Sequence, residues 1–324
     1  MARKTDWTLP EELQPKKESL DFDLDAALRS VVLLRAEVPE DAFTASILGT
    51  ERVGSGTVIR PDGLVLTIGY LINEAESIWL TTADGMVVPA HALAHDYETG
   101  FGLVAPLGRV SLPAMKFGSS ASVALGDSAI VVSHGGPGHT LTTKVVDKRE
   151  FAGYWEYLVD EALFTAPAHP HWSGAALVGM DGKLLGVGSL LVQEPLGGDT
   201  IDANMFVPID LLGPILEELS STGRAARQPR PWLGLYATES QGHLVVGGLA
   251  TGGPAARAGV KLGDRVIEVA GQRVGGLSDL LRKVWRLGPA GTEIPLTLAR
   301  GQSRSRVQVR STDRDELLKK PLQH

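Results

Sequence analysis

In HPHWSGAALVGMDGKLLGVGS, residues 169–189, Ser173 precedes a glycine, an apolar pair follows, and a "DG" turn leads into a second apolar strand. A hydroxyl at such a turn is placed as a nucleophile, but serine attacks only when an adjacent base takes its proton. The imidazoles to consider are His169 and His171 in the same stretch, His134, and His95 followed by Asp96. A dyad of Ser173 with His169 or His171 requires the ring within hydrogen-bond reach of Oγ. The plainer reading makes these loop and surface histidines and Ser173 a turn residue bonded within its loop. The 324 residues contain no cysteine, which excludes disulfides, thiolate metal sites and a thiol nucleophile. DFDLD (21–25) and HDYE (95–98) lack metal-loop spacing. HGGPGH (134–139) lacks the strand–glycine–helix setting of a phosphate cradle. No metal and no cofactor is expected.

The elements that must hold Ser173 are short strands. From about residue 52 the segments GSGTVIR, LVLTIGYL, SIWLTT, VVPAHALAHD and FGLVAPL follow one another, separated by turns such as PDG (61–63) and ADG (83–85). A second series runs through SAIVVSH, TKVVDKREF, ALFTAPA, GAALVGM, KLLGVGSLLV and ANMFVPI. This spacing predicts all-β barrels or sandwiches. DLLGPILEELSST (210–222) has apolar residues at helical spacing, with Gly223 as its stop. GRAARQPRP (223–231) reads as a linker, and an α+β unit follows with the amphipathic helix LSDLLRKVWRLG, one face marked by Leu277, Leu280, Leu281, Val284 and Leu287. The expected divisions are an arm at 1–24, a β-barrel region at 25–222, the linker, the α+β unit at 232–312 and a tail at 313–324. EFAGYWEYLVDEALF (150–164) gathers five aromatics that serve either as core or as an exposed partner surface.

A formal net charge of −7 with no sustained basic run argues against nucleic acid as a partner. No apolar run reaches the about eighteen residues of a membrane span. The first residues, MARKTDWTLPEELQPKKESLDFDLD, begin basic but have no apolar stretch behind them, so a cytoplasmic location is expected.

Five segments in order resemble the HtrA (Deg) type of trypsin-like serine protease. They are GSGTVIRPDGLVLT (54–67), DYETGFGLVAPL (96–107), SGAALVGMDGKLLGVGS (173–189), MFVPIDLLGPILEEL (205–219) and GGPAARAGVKLGDRVIEVAGQRV (252–274). The resemblance implies a mainly β fold, two six-stranded barrels followed by an α+β PDZ domain. It also places Tyr70 where the family has its general-base histidine and Gly100 where it has the orienting aspartate. Ser173 keeps the nucleophile position. His171 stands where a glycine contributes an oxyanion N–H. A phenol with a pKa of about 10 keeps its proton at neutral pH. Losing the base costs on the order of a millionfold in kcat. The resemblance therefore implies a catalytically inactive homologue that binds peptide or protein C-termini through its PDZ domain. The rival readings are an endopeptidase using Ser173 with an unconventional base, and a structural subunit of a larger assembly. In the PDZ region the carboxylate-binding loop would be Leu233, Gly234 and Leu235, with Leu280, Leu281 and Val284 lining the side-chain pocket or serving only as core. The resemblance further suggests a homo-oligomer, a trimer through the N-terminal arm with Trp7, Leu9, Leu20 and Phe22 as anchors. An arm that wraps its own barrel is the other expectation.

Overall fold

The computed structural model describes residues 7–196 and 198–319. They fall into two compact units. One gathers the chain up to Arg149, then Glu161–Ala225 and the end from Lys319; the other joins Glu150–Asp160 to Ala226–Leu318.

The first unit holds two closed six-stranded barrels. Strands β1 (Val31–Glu37), β2 (Glu51–Val58), β3 (Val65–Ile68), β4 (Ser77–Thr81), β5 (Val87–His95) and β6 (Phe101–Pro106) close in the order β1-β2-β3-β6-β5-β4. The second barrel uses β7 (Ser128–Val132), β8 (Thr140–Gly153), β9 (Tyr157–Ala166), β10 (Ala176–Gly179), β11 (Leu184–Leu196) and β12 (Asp199–Pro208), in the order β10-β11-β12-β9-β8-β7. The strands form because β-branched and other apolar residues recur with glycine turns between them, and closure leaves no bare edge. Phe101, Phe164 and Phe206 are fully buried. Burial of each such side chain contributes roughly 1.5–3 kcal/mol.

Helices are few in this unit. α1 (Leu24–Arg29) is capped by Asp23, whose carboxylate accepts from the Ala26 N–H, and it runs into β1. α2 (Ala45–Leu48) is a single turn. The helix expected over 210–222 is shorter: a 3-10 turn at Ile209–Leu211 comes first, and α3 covers only Leu216–Thr222. Gly213–Pro214 explains the break, since proline has no N–H and biases its predecessor away from helical geometry. Gly223 ends α3 in the left-handed region, φ 76°. The arm lies on its own barrel. Leu9 is buried in the second-barrel core with Trp7 packed beside it, and its N–H donates to Gly138 O at 2.8 Å.

The second unit is a sheet in the order β13-β14-β15-β17-β18, with β16 paired to β15. The strands are β13 (Leu235–Ser240), β14 (His243–Leu249), β15 (Arg265–Val269), β16 (Gln272–Arg273), β17 (Glu293–Arg300) and β18 (Ser303–Arg310). Two helices accompany it, α4 (Pro254–Arg257) and α5 (Leu277–Arg286). Leu277, Leu280, Leu281 and Val284 form the buried face of α5, whereas Leu287 is the C-cap and exposed. The buried apolar face thus ends at Val284, three residues earlier than the sequence suggests.

Candidate functional sites

Ser173 sits in the loop between β9 and β10, held at two points. Its carbonyl accepts from the Ser55 N–H on β2 at 2.8 Å, and Gly174 N donates to Gly188 O on β11 at 2.8 Å. Gly174 has φ +71°, and a Cβ there would lie 2.0 Å from Ser55 O, so only glycine fits. Tyr70 lies in a 3-10 turn, Gly69–Leu71, directly after β3, and the Gly69 N–H donates to Gly100 O at 2.7 Å. The structure thus gathers the sequence positions singled out for chemistry. Gly100 contributes only backbone. Asp96, four residues before it, is committed to its own turn, accepting from Thr99 N and Oγ1 at 2.9 and 2.7 Å.

The Tyr70 hydroxyl lies 2.9 Å from Ser173 Oγ and 2.8 Å from Ser189 O. A carbonyl only accepts, so the phenolic proton has a standing partner in Ser189. When it is given there, the Ser173 hydroxyl points its own proton at the phenol oxygen. Burial pushes the phenol up to about 12, with the serine contact lowering it only in part. A neutral phenol with so high a pKa accepts a hydrogen bond but does not remove the proton. Among the described residues no imidazole hydrogen-bonds Ser173 Oγ.

The His169 and His134 rings bond to other groups. His169 is fully buried, correcting the expectation of surface histidines, and its backbone exchanges hydrogen bonds with the Asn204 side chain. The His171 N–H donates to His169 Nδ1 at 2.9 Å. Nδ1 must therefore be unprotonated, and Nε2 carries the proton given to His139 O at 3.0 Å. The consequence reaches the nucleophile loop. The backbone N–H at 171, the position the resemblance assigns to the oxyanion site, is already spent on an internal acceptor. His134 Nδ1 lies 3.0 Å from Ser55 Oγ, and its ring stacks with that of His171 at 5.4 Å; Trp7 also stacks with His171, at 4.9 Å. Burial holds both His134 and His169 down at about 4. Together with Arg35, Gly54 and Ser173, the Trp7, His134 and His171 rings line a cleft of about 830 Å³. Among the described residues, no group of three or more histidine or acidic side chains is arranged to hold a metal ion.

A second site lies in the second unit. The N–H groups of Leu233 and Leu235 both point at one carboxylate, that of Glu156. Leu233 N donates to Oε1 and Oε2 at 3.1 and 3.0 Å, and Leu235 N to Oε1 at 3.0 Å. Gly234 between them has φ +66°, and a Cβ there would meet Trp232 and Ala250 at 2.8 and 2.9 Å. Desolvation raises the Glu156 carboxyl to about 7, although the loop N–H groups and Arg314 pull the other way. Glu156 itself has φ 62°, at the turn between β8 and β9. Leu280, Leu281 and Val284 belong to the core of this unit, against which Ala152 and Leu158 of the same turn region also pack. The aromatics of that region are not a free patch: Trp155 stacks with Tyr157 at 5.8 Å and Tyr154 meets Tyr236 edge-on at 6.2 Å. Glu156 has no local signature. It is one acid in a polar turn, 77 residues from the loop it contacts.

Residues 54–187 match the trypsin-like peptidase domain family, and residues 245–300 match the PDZ domain family. The chain therefore carries a trypsin-like peptidase domain followed by a PDZ domain. Among curated proteins it is 26% identical over 270 residues to a probable periplasmic serine endoprotease DegP-like of Halomonas elongata, covering 79% of this chain and 56% of that one. A protein of the same description from Rickettsia conorii is 26% identical over 285 residues, covering 82% and 55%. The chain thus spans little more than half the length of the curated relatives it matches. Among solved structures, the serine endoprotease from Yersinia pestis aligns with a TM-score of 0.53 at 22% identity, covering 91% of this chain and 99% of that one. The HtrA-type protease AlgW with a tripeptide aligns at 0.54 and 19% identity, covering 92% and 97%. The DegP-like serine endoproteases are thus homologues of this chain, and its fold is the one seen in the HtrA-type proteases. The expected cytoplasmic location is overturned, because these relatives are named periplasmic. The physical reason is simple: the lack of an apolar stretch in residues 1–24 describes only those residues, and a cysteine-free composition suits either compartment.

Proposed function

We propose that this chain is a catalytically silent HtrA-type protein that binds carboxylate-bearing peptide segments through its PDZ domain. In this reading residues 25–222 are the degenerate protease scaffold and 232–312 the binding module. One observation carries it: the partner of Ser173 Oγ is the Tyr70 hydroxyl, not an imidazole. Transition-state stabilisation lost with the base is about 8 kcal/mol. The diverted His171 N–H removes a second contribution, for which single-donor deletions cost on the order of a hundred- to a thousandfold. Peptide binding is supported by the 233–235 loop, whose N–H groups converge on a carboxylate as chain-end capture requires.

The test is labelling of the full chain with a fluorophosphonate, with Ser173→Ala as control, alongside casein turnover. No Ser173-dependent labelling is expected. Stoichiometric labelling that vanishes in the alanine variant would overturn the proposal in favour of an active endopeptidase.

A further inference from the structure

The carboxylate loop is occupied by its own chain. A free peptide end offers this loop a carboxylate, an apolar terminal side chain and a strand for the edge of β13. The β8–β9 turn already supplies the first of these within the second unit. Its Glu156 carboxylate takes the Leu233 and Leu235 N–H groups, and Ala152 and Leu158 pack on the core that includes Leu280, Leu281 and Val284. The turn is also fastened at its stems. Arg282 on α5 pairs with both Glu150 and Asp160, and Arg314 donates to Trp155 O at 3.1 Å. A positive φ at Glu156, a non-glycine residue, holds its backbone in a conformation rare for side chains of this kind.

From this we infer that Glu156 is a resident ligand of the PDZ carboxylate loop, which an incoming peptide carboxylate must displace before it binds. The inference rests on the reading that the 233–235 loop captures chain ends, and adds how that site is regulated. The groups facing Glu156 are the three loop N–H groups, Arg314 and Tyr236. Its carboxyl titrates higher in the loop than its ordinary value of 4.5, so protons favour the occupied loop. Raising the pH from below 4.5 through about 7 weakens the occupied state. A peptide terminus, ionised throughout that window, gains access as the pH rises.

The experiment measures binding of a fluorescent peptide pool with free apolar C-termini, and of the same pool amidated, to the 324-residue wild type, E156A and E156Q. Thermal unfolding checks that each variant is folded. The expected result is that E156A binds the free acid at least about tenfold more tightly than wild type, since an occupied site scales apparent affinity by its open fraction. Neither protein should bind the amide. Wild-type affinity should rise with pH, and that of E156Q should not. Equal affinity of wild type and E156A for the free acid overturns the resident ligand while leaving peptide capture intact. If neither protein binds, amide hydrogen exchange at Leu233 and Leu235 decides. Faster exchange in E156A upholds the resident carboxylate and removes chain-end capture, whereas unchanged exchange removes both.

Discussion

At the scale of single residues, the site near Ser173 shows why a nucleophile cannot be judged from the serine alone. Two hydroxyls face each other, and neither is a base. The orientation of one N–H, at His171, follows from the tautomer of His169 next to it in space. This gives a specific expectation for reconstruction. Tyr70→His with Gly100→Asp supplies a base and an orienting acid, and aspartate tolerates the left-handed backbone at 100 (φ 84°) better than most residues. That double variant should still label poorly with fluorophosphonate. Adding His169→Leu, which removes the Nδ1 acceptor that holds the His171 N–H, should raise the labelling rate by about a hundredfold, the worth of one recovered oxyanion donor. Equal rates for the double and triple variants would show that the His171 N–H is not what limits the loop.

At the scale of elements, the nucleophile loop is locked by close approach of backbone from β2 and β11. Gly174→Ala combines a left-handed φ with a collision against Ser55 O. It should destabilise the first unit by about 2–4 kcal/mol, read from chemical denaturation. A change under about 0.5 kcal/mol would mean the loop relaxes freely. The β8–β9 turn is held differently. Arg282 and its two acidic partners are all at least a third exposed. Arg282→Ala should therefore cost less than about 1 kcal/mol of stability in a urea melt. A larger loss would mean that packing of the turn depends on this ion pair.

For the whole molecule, the buried imidazoles link stability to pH. In the unfolded chain a histidine titrates near its ordinary value of 6.5, whereas burial lowers His134 and His169 to about 4 in the folded protein. Between these values the unfolded state binds more protons, so stability present above pH 6.5 is lost as the pH falls toward about 4. The fully buried His169 alone contributes up to about 3 kcal/mol of this loss. Unfolding measured calorimetrically across that range should show net proton uptake, reduced by His169→Gln. Proton uptake identical in that variant would place the linkage elsewhere.

The order of the strand segments, the turn glycines and the PDZ core signature were enough to read the double barrel and the α+β unit from the chain. The same reading singled out Tyr70 by its place after a strand, which needs no partner to be recognised, and in the structure its hydroxyl lies 2.9 Å from Ser173 Oγ. It overstated the helix at 210–222, where Gly213–Pro214 intervenes, and it assigned a compartment from too few residues. Three facts were decided only in three dimensions: the burial of His169, the direction of the His171 N–H, and the meeting of the Glu156 carboxylate with the Leu233 and Leu235 N–H groups. Each depends on which polar groups, distant or adjacent in sequence, satisfy one another once water is excluded. That pairing is set by packing and carries no periodicity for a sequence to display.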